Sequence, residues 1–239
     1  MSNILVTGGA SGLGEAITRK LASTGNKVFF TFNRSKEKAE QLESEFPQAR
    51  ALVCNFRNPE DLRRLFYRIK EFDPDVLVNN ALAGMTKKHF HKMEPSVFLD
   101  SFKVNVLPTL QITQQAILCF RKKRYGKIIT VLTSYLANLP PTGLSEYVAN
   151  KAYLESLSKS WTVENASYGI TANCISPSMM RTQLTSDLDE RIVEEISTRH
   201  PLGKLVTPEE VAEAISFMVG STQQINGVNL LINGGGDVI

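Results

Sequence analysis

Apolar and polar positions alternate in blocks along the chain of 239 residues. "NILVTG" near the start is short, apolar and β-branched, the pattern of a buried strand. "GEAITRKLAST" after it carries apolar residues at helical spacing, and Gly25 closes that helix. The alternation continues. "KVFFTF" predicts a second strand, and "SKEKAEQLESEF" a charged helix ending at Pro47. "ALVCNF" predicts a third strand, followed by a helix that opens at Pro59 and runs through "EDLRRLFYRIKEF". "DVLVNN" predicts a fourth strand, residues 95–120 one long helix, and "KIITVLTS" a fifth strand. From Gly143 to Ser160 the spacing of Ala149, Ala152, Tyr153, Leu157 and Trp161 predicts an amphipathic helix. "ITANCISP", "PEEVAEAISFMV" and "GVNLLING" complete the series as strand, helix and strand.

Short apolar strands joined by helices imply a parallel sheet buried on both faces. Right-handed crossovers then give an α/β, Rossmann-type doubly wound sandwich of about seven parallel strands with helices on both faces. The chain has no repeat, low-complexity tract or linker, so residues 1–239 read as one domain, which the motifs below make a dinucleotide-binding catalytic one. Residues 178–207 are less periodic and read as a substrate flap over the strand ends, where ligands bind in such sheets.

Composition narrows the classes. A net charge of +3 is too mild to argue for nucleic acid. No run of about 18 apolar residues is present, so no membrane span is expected. The first residues enter a strand directly rather than a signal peptide, and a cytoplasmic enzyme is expected. Cys54, Cys119 and Cys174 are an odd set of widely spaced thiols, suited to a reducing compartment and to packing. His89 and His91 have no carboxylate or Cys cluster beside them and read as a solvated loop, not a metal site. Basic residues clump in "KKHFHK" at 87–92 and "RKKRYGK" at 121–127, either as a solvated rim or as a docking patch for something acidic.

The first strand–helix junction reads "TGGASGLG", with Thr7, Gly8, Gly12 and Gly14. Glycines let backbone approach a pyrophosphate, and the helix start offers free N–H groups and a positive dipole end. Tyr147 and Lys151 are four apart on a predicted helix and so share a face. At the end of the second strand an acidic residue would select NAD, whereas an Arg accommodates a 2′-phosphate. Here no acid follows the strand; Arg34, Ser35 and Lys36 do, which favours NADPH/NADP over NADH.

These motifs together resemble the short-chain dehydrogenase/reductase family. They are "TGGASGLG", "NNA" at 79–81, "VNV" with Asn105, Ser134 after the fifth strand, and "YVANK" thirteen residues beyond it. The similarity runs over essentially the whole chain to the closing "INGG". Within the family, "ITANCISPSMMRTQLT" and "PLGKLVTPEEVAEAISFMVG" are similar to the 3-ketoacyl-acyl-carrier-protein reductases. The resemblance implies a catalytic set of Asn105, Ser134, Tyr147 and Lys151. Tyr147 would be the general acid for carbonyl reduction, with a neighbouring ammonium and the oxidised nicotinamide lowering its pKa. Ser134 would steady the carbonyl oxygen, Lys151 would hold the nicotinamide ribose, and Asn105 would anchor a relay water. Without the resemblance, Ser134 is a strand-end cap and Asn105 a polar residue inside a helix. The resemblance also implies cofactor contacts at Gly8, Ser11, Gly12, Leu13, Gly14, Arg34, Ser35, Asn55, Phe56, Asn80, Ala81, Tyr147, Lys151, Pro177, Met180 and Thr182.

Two departures stand out. The usual "NNAG" is "NNALAG", with Leu82 in place of Gly, and the usual "PG" is Pro177-Ser178. Both predict altered backbone around the cofactor. The expected activity is NADPH-dependent reduction of a ketone, foremost a β-ketoacyl thioester on an acyl carrier protein that docks through Arg124 and its basic neighbours; the second position at which relatives carry a base is Tyr168 here. Alternatives are an NAD(P)-dependent enzyme for a small alcohol, sugar or polyketide intermediate, then an enoyl reductase, then a non-catalytic dinucleotide sensor. The excess apolar surface of the helix at 145–165 and the family resemblance predict a homotetramer, with a dimer as the alternative.

Overall fold

The computed structural model describes residues 1–182, 185 and 189–236. Seven strands form one sheet: β1 Asn3–Val6, β2 Lys27–Phe32, β3 Ala49–Val53, β4 Val76–Asn79, β5 Gly126–Val131, β6 Ile170–Pro177 and β7 Asn229–Ile232. Their order is β3-β2-β1-β4-β5-β6-β7, and every neighbouring pair is parallel. Eight helices are described: α1 Gly12–Ser23, α2 Lys36–Glu45, α3 Pro59–Phe72, α4 Pro95–Asn105, α5 Leu107–Lys123, α6 Ser145–Asn165, α7 Glu190–Arg199 and α8 Pro208–Gly220.

Strand side chains alternate between two cores, as a pleat of period two demands. Ile4, Val6, Val28, Phe30, Val76, Val78, Ile129 and Val131 pack on the side of α1 and α8 with Ile17, Leu21, Val211 and Ile215. Leu5, Phe29, Leu77 and Ile128 pack on the other side with Leu65 and Ile69 of α3 and Ile112 and Phe120 of α5. The sheet order reverses between β1 and β4, and this switch point opens a crevice at the strands' C-terminal ends.

Four local features go beyond the sequence reading. The helix predicted over 95–120 is two helices, broken at Val106. Pro108 has no N–H to give to the carbonyl four residues back, so the ladder fails there and Asn105 ends α4. The segment 178–207 contains α7, an amphipathic helix that Asp189 caps through the Arg191 nitrogen. Residues 183, 184 and 186–188 of the expected flap lie outside the described residues.

The third feature is α6, whose buried face matches the expected one only in part: Leu157 is half-buried and Trp161 packs against the core. Glu146, Lys151, Leu154, Ser158 and Asn165 are buried, while Ala149, Ala152 and Tyr153 face outward. Tyr153 meets Phe102 of α4 edge-on at 5.2 Å, and Leu99, Leu118 and Val163 are also exposed. The fourth is Lys127 in β5, a buried lysine. Its Nζ donates to the Met218 carbonyl at 3.3 Å, the Val219 carbonyl at 2.8 Å and the Ser221 carbonyl, closing the C-terminal end of α8. All three cysteines are free and buried.

Candidate active site

The glycine-rich turn after β1 is held by side chains from both strands of the switch point. Thr7 Oγ1 accepts from the backbone nitrogens of Asn80 at 2.9 Å and Ala81 at 3.0 Å. Asn80 Nδ2 donates back to the Thr7 carbonyl at 3.0 Å and the Gly8 carbonyl at 3.2 Å. This leaves no room for larger residues. A Cβ on Gly8 would lie 2.9 Å from Ala81 Cα, and one on Gly14 1.9 Å from the Gly8 carbonyl oxygen. Gly8 and Gly12 also have φ of 67° and 51°, the region that side chains rarely adopt.

The first N–H groups of α1, at Gly12, Leu13 and Gly14, have no intrahelical acceptor. Ser11 at the N-cap makes no capping hydrogen bond. Thr182 stands opposite, 3.4 Å from where a Gly12 Cβ would be. Met180 is tied to Val206 by an isolated parallel bridge. Ser178 fits the path after Pro177 without positive φ, and its nitrogen donates to the Ile232 carbonyl at 2.9 Å. The Ser178 hydroxyl is buried and has no partner among the described residues, an orphaned polar group at this wall. A narrow cradle, open N–H groups and two uncommitted hydroxyls fit a dinucleotide pyrophosphate and its nicotinamide end.

At the end of β2, Arg34 is exposed and makes no ion pair among the described residues. Lys36 pairs with Glu40 and Lys38 with Glu15. Ser35 caps α2 without a side-chain bond. Asn55 is fixed by its own loop, its nitrogen donating to Asp61 at 2.8 Å and its Oδ1 accepting from the Arg57 nitrogen at 3.0 Å. The Phe56 side chain packs against the core, so that position offers backbone to a ligand.

Tyr147, Lys151 and Asn105 line one narrow cavity at the ends of β4 and β5, with room for about one water. Lys151 is buried and its Nζ donates to the Val131 carbonyl at 2.7 Å. Burial lowers its pKa to about 8, with the Cys174 thiol opposing. Its Nζ is 5.9 Å from the Tyr147 ring centroid. The sequence reading had the ammonium lowering the phenol's pKa. In this structure burial pushes Tyr147 up to about 12, while the Thr133 hydroxyl in hydrogen-bonding contact opposes and Tyr135 adds to the rise. Desolvation sets the direction for the phenol, while the Lys151 ammonium donates to the strand carbonyl.

Ser134 is buried at the end of β5 but does not line the cavity with Tyr147; the hydroxyl that meets the phenol is that of Thr133, one residue earlier. Asn105 is more tightly held than expected. Its Oδ1 accepts from the Ala83 nitrogen at 2.8 Å, its Nδ2 donates to Ser101 Oγ at 3.1 Å, and its carbonyl accepts from Thr109 Oγ1 at 2.9 Å. Ser101 Oγ also accepts from Asn150 Nδ2 at 2.9 Å and donates to Glu146 Oε2 at 2.7 Å. Glu146 Oε1 accepts from the Thr86 nitrogen at 2.8 Å. A buried carboxylate next to Tyr147 therefore braces the altered "NNALAG" loop.

Thr133, Glu146, Ser101 and Asn150 were not singled out from sequence, and Ser178 was singled out as a departure without a role. Only the Ser178 departure left a signal there; the others act through a loop path that no motif encodes. Arg124 is far from this cavity. It ends α5 in a left-handed conformation and precedes β5, whereas the cavity lies beyond that strand's other end, on the order of 20 Å away for six residues. Its guanidinium donates to the Ser167 carbonyl at 2.8 Å and lies 5.8 Å from the Tyr168 ring centroid, with Arg121 closer at 4.5 Å.

The chain is similar to known proteins over nearly its whole length. A family model described as Enoyl-(Acyl carrier protein) reductase matches residues 8–236. The chain is 32% identical over 234 residues to the 3-oxoacyl-[acyl-carrier-protein] reductase FabG of Rickettsia prowazekii, covering 97% of this chain and 95% of that protein. Among solved structures it is similar to the 3-ketoacyl-(acyl-carrier-protein) reductase of Brucella melitensis complexed with NADH. There the TM-score is 0.88 at 27% identity, over 98% of both chains. It is also similar to a short chain dehydrogenase of Burkholderia cenocepacia in complex with NADP. That match has a TM-score of 0.86 at 26% identity, over 98% of this chain and 97% of that one.

Proposed function

The chain belongs to the short-chain dehydrogenase/reductase family of NAD(P)-dependent oxidoreductases, and from that premise we propose that it reduces a ketone to a secondary alcohol with NADPH, the ketone being a β-ketoacyl thioester on an acyl carrier protein. In this reading residues 1–239 act as one cytoplasmic catalytic domain, with 178–207 as its substrate flap. The observation that carries the reading is the shared cavity of Tyr147, Lys151 and Asn105 beside the glycine cradle.

Bound at the cradle, the reduced nicotinamide supplies a hydride. The residues of the chain manage the proton and the charge. Tyr147, held protonated by burial, gives its proton to the alkoxide, a far stronger base than phenolate. Ser134 steadies the carbonyl oxygen as charge develops on it, and Thr133 orients the phenol. Lys151, buried below Tyr147, engages the cofactor ribose, and the cavity water against Asn105 returns a proton to the site. Ser11 and the first N–H groups of α1 take the pyrophosphate, and Ser178 with Thr182 takes the nicotinamide amide. Arg34, the exposed cation at the end of β2 without an ion pair among the described residues, supports NADPH over NADH by taking a 2′-phosphate with Ser35.

Tyr147 and Lys151 one helical turn apart favour carbonyl over enoyl reduction. The outward apolar face of α6 with Leu99, Leu118 and Val163 supports a homo-oligomer, a tetramer in this reading. The test is a substrate panel followed by loss of NADPH absorbance: β-ketoacyl, enoyl and sugar or small-alcohol substrates, each with NADPH and NADH. Turnover of the β-ketoacyl thioester ahead of the rest is expected. Preference for the enoyl thioester would overturn the proposal.

A further inference from the structure

We propose that Asn79 and Thr130 anchor the water through which the Tyr147 site regains its proton; this rests on the ketone-reducing reading and gives that water its anchor on the sheet. The two residues are register partners in β4 and β5, so their side chains leave the same face of the sheet. That face is the one covered by α5, since Leu77 and Ile128, two residues before them, pack with Ile112 and Phe120. Asn79 is 5% exposed and Thr130 is fully buried.

Each carries a polar atom that meets no partner among the described residues, Oδ1 of Asn79 and Oγ1 of Thr130. Asn79 Nδ2 donates to Thr113 Oγ1 of α5 at 3.0 Å, which holds the amide by its nitrogen end. Two buried oxygens without a partner are costly, and a water that donates to Asn79 and accepts from Thr130 removes the cost at both. Neighbouring strands lie about 4.8 Å apart, a gap that one water with two hydrogen bonds of about 2.8 Å spans.

Asn79 also lines the narrow cavity of Tyr147, Lys151 and Asn105, which has room for about one water. Other polar groups of that wall are committed. Asn105 Oδ1 accepts from the Ala83 nitrogen, the Glu146 oxygens accept from the Thr86 nitrogen and the Ser101 hydroxyl, and Thr109 Oγ1 donates to the Asn105 carbonyl. The "NNALAG" loop is what draws off Asn105 and Glu146. Lys151 Nζ has three hydrogens, gives one to the Val131 carbonyl and keeps two. An ammonium with spare donors and an amide oxygen without one thus share a space for a single water.

In the proposed turnover Tyr147 gives its proton to the alkoxide. Lys151 replaces it on the phenolate, the water replaces the proton of Lys151, and solvent replaces that of the water. Only N–H and O–H bonds form and break, and each carrier ends as it began. Asn79 and Thr130 are positioning residues: they never hold the moving proton but fix the water that does.

The experiment compares wild type, Thr130→Val, and Asn79→Leu/Thr113→Val, which removes the hydrogen-bonded pair together so that neither member is orphaned. Thr130→Val is close to isosteric and carries the test should the double variant not fold. High-resolution crystal structures without cofactor come first and need no turnover. Wild type should show an ordered water within hydrogen-bond distance of Asn79 Oδ1 and Thr130 Oγ1, and both variants should lose or displace it. Steady-state kinetics on a soluble ketone with NADPH follows. Both variants should lose about ten-fold in kcat, with KM for ketone and NADPH within about two-fold, because a proton-transfer step and no binding contact is removed. Imidazole at rising concentration should restore most of kcat in the variants and leave wild type unchanged, a response that a packing defect does not give. A wild-type cavity without the water, an unchanged kcat in the variants, or a loss that imidazole does not restore would each overturn the proposal. A wild type that holds the water yet reduces no ketone would sink the ketone-reducing reading and the relay with it, leaving a water that serves the sheet alone.

Discussion

The Lys151 ammonium donates a 2.7 Å hydrogen bond to the Val131 carbonyl at the last residue of β5, so the one cation in the cavity is fastened to the sheet and not to the phenol beside it. Its lowered pKa, about 8 through burial, makes folding sensitive to pH. The unfolded chain holds this proton up to about 10.4. Between these values the unfolded state binds more protons, so stability rises with pH across this window and the contribution is lost as pH falls through 8. The full swing is on the order of 3 kcal/mol. Denaturant titrations of wild type and Lys151→Met from pH 7 to 10 should diverge in this direction, the variant lacking the upward slope. Parallel curves would mean that Lys151 is solvated in the folded protein.

Tyr147→Phe should keep the fold and cofactor binding and lose 10²-fold or more in kcat, since only the proton donor is removed. Thr133→Val should cost less and act on kcat rather than on cofactor KM, because the Thr133 hydroxyl orients the phenol without replacing it. Steady-state kinetics with NADPH and a soluble ketone checks both. Retention of more than about a tenth of wild-type kcat by Tyr147→Phe, where such a donor is worth at least 10²-fold, would remove Tyr147 from the mechanism.

Glu146→Ala orphans two donors, the Thr86 nitrogen and the Ser101 hydroxyl, at about 1–3 kcal/mol for each group left buried and unpaired. Glu146→Gln keeps an acceptor for the Thr86 nitrogen but turns its amide nitrogen to Ser101 Oγ, whose two lone pairs already accept from Asn105 and Asn150. The expected result is a clear drop in unfolding free energy and in kcat for Glu146→Ala, with part of both restored by Glu146→Gln. If the two variants behave alike, negative charge and not hydrogen-bonding shape is what the loop requires.

Arg34→Asp should weaken NADPH at least ten-fold, at about 1.4 kcal/mol per decade, and change NADH little, because a carboxylate beside a 2′-phosphate is repelled. Fluorescence titration of both dinucleotides measures it. An unchanged NADPH/NADH ratio would show that the Arg34 side chain points away from the ribose.

The sheet was legible because strand burial is written locally: β4, β5 and β6 are buried along their whole length and read as apolar runs. Gly8, Gly12 and Gly14 were legible because their requirement is steric and tied to one turn. Helix α6 was legible as a helix but only in part in its orientation. Its inward face carries Glu146, Lys151, Ser158 and Asn165, and polar residues serving a site defeat a rule that assigns apolar residues to the core. The break at Val106 was in the sequence as Pro108, outweighed by a long apolar pattern. The Glu146–Ser101–Asn105 network could not be read, since its members lie 45 and 4 residues apart and meet only when the loop takes its path.

The outward face of helix α6 has one more consequence. A single copy presents Ala149, Ala152, Tyr153 and Val163 to water on the helix whose inner side carries Tyr147 and Lys151. If a second copy covers that stripe, the catalytic helix is held from outside as well as from within, and the yield per molecule becomes a property of the solution. Specific activity should then fall as the enzyme is diluted toward the dissociation constant of the assembly and recover on concentration. An assay mixture would, in effect, titrate its own catalyst.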